Sequence, residues 1–227
     1  MTRAILIFDL DGTLVESAAA IRDVANALFA TLDLAPLSLA ETRSFIGKGA
    51  RHFVERALRH REAFDAATIE QHHEHFQTLY RAAPGSANAA FPGADACLRH
   101  LQAEGHTLAL CTNKPEAPTR AVLDAHAWTG LFTALVCGDS GLALKPSPTP
   151  LRQAADLARQ ATNAPAETPC VFIGDSEVDA ETAAAAGIAF VLYTEGYRHT
   201  PVDAIRAAAT VSAFADLPRS ITALLQR

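Results

Sequence analysis

No stretch of this 227-residue chain comes near the ~18 consecutive apolar residues that a membrane-spanning helix needs. No long run of Lys or Arg occurs either, and with a formal charge of −6 and a pI near 5.8 the protein has no basic field to draw in a nucleic-acid backbone. Neither a membrane nor a nucleic acid is therefore expected as a partner. The four cysteines, Cys97, Cys111, Cys137 and Cys170, form no CxxC pair and stand mostly in or beside apolar runs. That spacing excludes a disulfide framework and a zinc ribbon, and predicts reduced thiols in a cytoplasmic protein. The beginning shows no charged region followed by an apolar stretch and a small-residue cleavage site, so no secretory leader is expected.

What is present is enough apolar residue, 49 % of the chain, for a proper core, in a length that suits one core domain carrying a smaller insert. Four short apolar runs lack polar alternation, as strands buried on both faces do: Ile5–Phe8, Thr107–Cys111, Cys170–Ile173 and Ile188–Leu192. Ala134–Cys137 supplies a fifth. Helical patterns alternate with the later runs, through Leu98 and Leu101, Val122 and Leu123, and Leu151 to Ala158. Repeated strand-then-helix order predicts an α/β fold, a Rossmann-like parallel sheet with helices on both faces.

From Ala18 to about Tyr80 the alternation stops and only helical signals remain. Ile21, Val24, Ala25, Leu28, Phe29 and Leu32 recur at helical spacing, and Ser38 with Glu41 and Thr68 with Gln71 read as two capping boxes. The core is thus expected over 1–16 and 88–227, with an inserted helical cap domain over 17–87. Leu14–Ser17 and Ala82–Gly93 are the connecting linkers.

Chemistry concentrates at strand ends. Phe8-Asp9-Leu10-Asp11-Gly12-Thr13 puts two carboxylates at the carboxyl edge of a parallel sheet, where open α/β folds place ligands. An Asp-x-Asp alone is equally what a turn uses to cap itself. Here it has company: Thr112-Asn113-Lys114-Pro115 ends the next strand, Lys145-Pro146 opens a later helix, and Gly174-Asp175-Ser176-Glu177-Val178-Asp179 places one carboxylate at a strand tip and another four residues on.

In order and over nearly the whole chain, these four stretches resemble the four signature motifs of the haloacid dehalogenase superfamily. The Asp9-x-Asp11 form is similar to its phosphatase and phosphomutase branches, and the remaining motifs look most like phosphoglycolate phosphatases. The resemblance implies a Mg²⁺-dependent phosphomonoester hydrolase acting through an aspartyl-phosphate. Its catalytic residues would be Asp9, Asp11, Thr112 and Lys145; its phosphate ligands Leu10, Asp11, Gly12, Thr112, Asn113 and Lys145; its metal ligands Asp9, Asp11 through the backbone carbonyl, and Asp175. Ser176 and Asp179 would stand in the outer shell. Its partner would be a small phosphorylated metabolite, most like 2-phosphoglycolate, and the protein a monomer or homodimer. Another phosphatase of the superfamily, a β-phosphoglucomutase-like phosphotransferase and a non-catalytic phosphate-binding regulator are the alternatives.

Elementary electrostatics explains why such residues are needed. A carboxylate attacking a phosphate monoester brings two anions together, at ~4 kcal/mol per pair of unit charges 4 Å apart at an effective dielectric of 20. In the cap, the Ile46-Gly47-Lys48-Gly49-Ala50-Arg51 loop can present backbone N–H groups and two cations to a bound anion, which makes Gly47, Lys48, Gly49 and Arg51 candidates for substrate recognition. His72, His73 and His75 read as a solvated helix face, not a metal site, and Trp128 as packing.

Overall fold

The computed structural model describes residues 3–62 and 64–226; residues 1, 2, 63 and 227, which the predicted domain ranges include, lie outside the described residues. The chain opens with strand β1 (Ile5–Phe8), whose four residues are all buried. A two-residue strand, β2 (Val15–Glu16), leads into four helices, α1 (Ala18–Thr31), α2 (Leu39–Phe45), α3 (Ala50–Arg59) and α4 (Ala66–Ala82). The chain returns through β3 (Ala89–Ala90) and then alternates: α5 (Ala94–Ala103), β4 (Thr107–Cys111), α6 (Glu116–Ala125), β5 (Phe132–Val136), α7 (Thr149–Thr162), β6 (Cys170–Gly174), α8 (Glu177–Ala186), β7 (Ala189–Tyr193), β8 (Ala209–Val211) and α9 (Leu217–Leu225).

Six strands form one parallel sheet in the order β5-β4-β1-β6-β7-β8. Strand β1 lies between β4 and β6 in matched register, Phe8 opposite Leu110 and Ile173, so the residues following all three strands emerge side by side. Apolar side chains on the two faces of the sheet build two clusters. One holds Leu6, Phe8, Leu98, Leu110 and Trp128; the other Ile5, Ile7, Leu151, Ala154 and Phe172. Trp128 is fully buried with its indole N–H donated to Asp95, the packing role expected of it.

The four inserted helices pack on one another around their own apolar cluster, which includes Leu28, Phe29, Phe53, Phe76 and Tyr80. The linkers on either side pair with each other, β2 antiparallel to β3, a contact too short to announce itself in sequence. Two sequence expectations need correction. Helix α4 starts three residues earlier than the Thr68–Gln71 box implied, because the Asp65 side chain accepts from Thr68 N–H and is itself the cap. His73 is not on a solvated face: it is buried and bonded to Glu70 and Gln77.

The Ser38–Glu41 capping box is present, and Glu41 does more than close it. Its carboxylate accepts from Ser38 N–H, takes two nitrogens of Arg61 and meets His60, while Arg61 also donates to the carbonyls of Ala35 and Pro36. Arg61 first, then Ser38, hold the Glu41 carboxyl well below its ordinary value. A lowered native value contributes its full stabilisation above the ordinary Glu value of about 4.3 and loses it progressively as pH falls from there toward the lowered value. Glu41→Gln is expected to cost about 1–2 kcal/mol at pH 7, less than a fully buried network would lose because Glu41 is partly exposed. Denaturant midpoints should show that gap shrinking progressively as pH falls below about 4; an unchanged gap would mean the charge is not what stabilises.

Candidate active site

Because β1 is central, Asp9 enters the site from its tip, Thr112 to Lys114 from β4 on one side, and Asp175 from β6 on the other. Gly12 makes the turn possible: its φ is +83°, and a Cβ there would lie 2.5 Å from Asp175 Oδ2. Thr13 Oγ1 donates to Asp175 Oδ1 at 2.8 Å and Tyr197 N–H donates to Asp175 Oδ2 at 2.7 Å, so the Asp175 carboxylate is fixed at both ends.

Lys145, nearly fully buried, reaches two carboxylates, Asp179 Oδ1 at 2.6 Å and Asp9 Oδ1 at 3.0 Å. Burial alone would lower the lysine, but Asp179 and then Asp9 outweigh it and hold the ammonium firmly charged. Asp179 spends its other oxygen on the N–H groups of Asp175 and Ser176 and on Ser176 Oγ. It therefore orients Lys145 and the β6 loop.

One oxygen is left over. Asp9 Oδ1 is buried and receives no well-directed hydrogen bond, since Lys145 approaches it off the bonding direction. Burial, opposed by Lys145 and reinforced by Asp179 and Asp11, raises the Asp9 carboxyl to about 6. Burial, then Asp179 and Asp9, raises Asp175 well above the carboxylate range. Ligand atoms of Asp9, Asp175 and Asp179 lie within 4.8 Å of one another. With all three carboxylates ionised, one ammonium leaves two negative charges uncompensated in a buried volume, and the only ligand atoms that converge there are oxygens. A hard dication such as Mg²⁺ fits both the charge and the donors.

Of the expected phosphate ligands, the N–H groups of Leu10, Asp11 and Asn113 have no acceptor among the described residues. The Gly12 N–H, by contrast, donates to Val15 O, which removes Gly12 from the expected set. Asn113 contributes no free side chain: its Oδ1 accepts from Lys145 N–H and its Nδ2 donates to Lys145 O and, across to the inserted helices, to Gly47 O. It is a tie between loops. Thr112 lines the cavity and its hydroxyl accepts from Lys114 N–H.

Sequence reasoning passed over Lys114, and the structure puts it beside the chemistry. Its ammonium, all but fully buried, lies 2.8 Å from Asp11 Oδ1, donates to the Tyr80 hydroxyl and sits over the Tyr80 ring. Burial disfavours its charge, but Asp11 and Tyr80 overcome that and raise it. Burial keeps Tyr80 neutral, pushing it up to about 12. Lys114 shares a cavity with Asp9, Asp11 and the apolar side chains of Ile21, Ile46, Phe53 and Phe76.

The cap-loop candidates separate. Gly49 lines that cavity and Gly47 both it and a second one on the Asp175 side, which Lys48 lines with His52 and Arg56 one and two helical turns further on. Four-residue spacing from Lys48 was the signal that would have found both. Arg51 lines neither. It is exposed and paired with Glu70 at 2.9 Å and Glu55 at 3.4 Å, a correction to its expected place.

The model of the haloacid dehalogenase-like hydrolases matches residues 4–187. The chain belongs to that family. A phosphoglycolate phosphatase of Cereibacter sphaeroides is 42 % identical over 221 residues, covering 97 % of this chain and 98 % of that one. The Rhodobacter capsulatus phosphoglycolate phosphatase is 38 % identical over 94 % of each. Among solved structures, a predicted phosphoglycolate phosphatase from Haemophilus somnus superposes with a TM-score of 0.86 at 26 % identity, covering 98 % of this chain and 99 % of that one. CbbY from Rhodobacter sphaeroides in complex with phosphate gives 0.74 at 26 % identity over 95 % and 96 %. The haloacid dehalogenase-like fold expected from sequence is thus the fold found, and no described helix of this hydrolase is long and apolar enough to cross a membrane.

Proposed function

We propose that this hydrolase converts 2-phosphoglycolate to glycolate and phosphate, and that Lys114 reads the substrate carboxylate. The observation that carries the reading is a buried ammonium in the cavity that also holds Asp9 and Asp11, opposite a wall of Ile21, Ile46, Phe53 and Phe76. Of its three N–H donors, two meet Asp11 and Tyr80, and the third has no partner among the described residues. A leaving group carrying a carboxylate would satisfy it with a charge-assisted bond; a neutral sugar would offer only a hydroxyl, a weaker acceptor. The phosphoglycolate phosphatases to which the chain is similar support the same substrate.

In this reading an Asp9 oxygen attacks phosphorus as the bond to the glycolate oxygen breaks, and Asp11 gives that oxygen its proton. Asp11, now a carboxylate, takes a proton from the water that attacks the aspartyl-phosphate, releasing phosphate and restoring Asp9. Lys145 and the free N–H groups of Leu10, Asp11 and Asn113 hold the phosphoryl oxygens. Mg²⁺, held by Asp9, Asp175 and the Asp11 carbonyl, would supply the positive charge that lets two anions approach. The helical insert over 17–87 acts as the cap, closing Ile46 to Ala50 and Tyr80 over the site and excluding water.

Kinetics on two substrates test the carboxylate assignment. Lys114→Met should lower kcat/KM for 2-phosphoglycolate by about 100-fold, or ~2.7 kcal/mol, for a lost charge-assisted contact. Loss on p-nitrophenyl phosphate, which has no carboxylate, should stay within about tenfold, the part that Lys114 owes to Asp11. Equal losses on both would reduce Lys114 to a support for Asp11. Arg51→Ala should change either value less than about twofold, as exposed ion pairs contribute little.

A further inference from the structure

Tyr197 lines the second cavity, on the Asp175 side, and has no part in the reaction above, yet it is buried and both its backbone N–H and its hydroxyl are committed. Its backbone N–H fixes Asp175 Oδ2. Its hydroxyl accepts from the N–H groups of Ser17 at 2.7 Å and Ala18 at 3.0 Å, and donates to Glu16 Oε1 at 2.6 Å. One donor and two acceptors exhaust what a phenol offers.

Ser17 and Ala18 are the start of α1, the first helix of the insert, and helix starts carry N–H groups with no partner inside the helix. Ser17 does not cap the helix with its own side chain; its buried Oγ makes no hydrogen bond. A residue about 180 positions later in the chain performs the cap instead, alone at the Ser17 N–H and shared with Glu16 Oε1, at 3.0 Å, at the Ala18 N–H. Glu16 extends the connection, its other oxygen taking Arg43 of α2 at 2.7 Å. One residue thus joins a metal-ligand candidate to the hinge from which the helical insert departs.

The packing leaves little slack. A Cβ at Gly12 would stand 2.8 Å from Tyr197 Cδ2, and one at Gly196 would stand 2.3 Å from Asp175 Oδ2 and 2.4 Å from Gly12 O. Only glycine permits Asp175, the β1 turn and the Gly196–Tyr197 segment to come this close. A shift of the Ser17–Ala18 end relative to the core must therefore either break the hydroxyl's bonds or move the Tyr197 N–H that orients Asp175.

We propose that Tyr197 is a positioning residue that couples metal binding at Asp175 to the placement of the cap hinge. Coupling of this kind is reciprocal: whatever fixes Asp175 firms the start of α1, and whatever loosens that start weakens the metal site. Mg²⁺ binding is expected to slow amide exchange at Ser17 and Ala18, residues that offer no ligand to the ion. Tyr197→Phe, which keeps the ring and the backbone N–H, is expected to abolish that protection and to weaken Mg²⁺ binding about three- to tenfold.

The inference rests on Asp175 being a metal ligand, and the two can fail separately. Calorimetry of the wild-type chain with MgCl₂ alone tests the ligand reading, because an absence of binding removes it. NMR amide exchange on the same samples tests the coupling without any variant: binding with no added protection at Ser17 and Ala18 overturns it. In Tyr197→Phe, faster exchange at those amides with unchanged Mg²⁺ affinity would likewise overturn it, leaving the hydroxyl as a helix cap and nothing more.

Discussion

Asp9→Asn is expected to lower kcat by about 10⁴-fold or more on any phosphomonoester, and at the same time to make the metal-free protein more stable. The first effect follows from losing the nucleophile while keeping its shape. The second follows from burial. Asp9 titrates near 6 in the fold against an ordinary value of about 3.9. A raised native value means that the folded state binds more protons between about pH 4 and 6, so stability falls as pH rises through that window and stays lower above it. An amide has no such charge to lose. Asp9→Asn should therefore gain on the order of 2 kcal/mol at pH 7 without metal, and no gain at pH 4. Steady-state assays and chelated denaturant melts at the two pH values check both halves. A variant that kept a tenth of wild-type turnover would end the covalent reading; a variant less stable at pH 7 would mean that Asp9 is not strained by its surroundings.

Exhaustive chelation is expected to lower activity at least 10³-fold, with Mg²⁺ restoring it and Ca²⁺ failing to, since its looser and higher coordination would misplace the Asp9 oxygen. The magnitude follows from the buried charge: Asp9, Asp175 and Asp179, once ionised, against Lys145 leave two negative charges before the phosphate arrives. Each unit-charge repulsion at contact is worth several decades of rate. Mg²⁺ should also raise the melting temperature at pH 7, and less at pH 5, where protons compete for Asp9. Full activity after chelation, verified by metal analysis, would remove the metal and the role given to Asp175 with it.

What sequence revealed and what it hid divide along a physical line. The buried strands β1, β4 and β6 were legible because a strand covered on both faces must be apolar throughout, and the site residues at their tips because each motif binds a fixed chemistry to a fixed position. Lys114 was in plain view within the second motif, but only the fold brings α4 and Tyr80 over it from 34 residues away. Tyr197 and Thr13 serve Asp175 across 22 and 162 residues, and no periodicity encodes such a meeting. Arg51 was misplaced because spacing locates a residue near a loop, whereas the direction of its side chain was decided by Glu70 on a neighbouring helix. Strands β2, β3 and β8, two or three residues long, fall below what any alternation can signal.

Those smallest strands have a consequence out of proportion to their length. Val15 pairs with Ala90 and Glu16 with Ala89, so the chain leaves the core and re-enters it through adjacent rungs of one ladder, about 5 Å apart. Seen from the sheet, everything between them is a single hairpin loop, and doubling the length of such a loop costs only ~0.6 kcal/mol in closure entropy. In closure entropy the core is thus nearly indifferent to the length of what hangs from this doorway. What ties the two together is the set of bonds that cross between them, Lys114 to Tyr80, Asn113 to Gly47 and the Ser17 and Ala18 N–H groups to Tyr197.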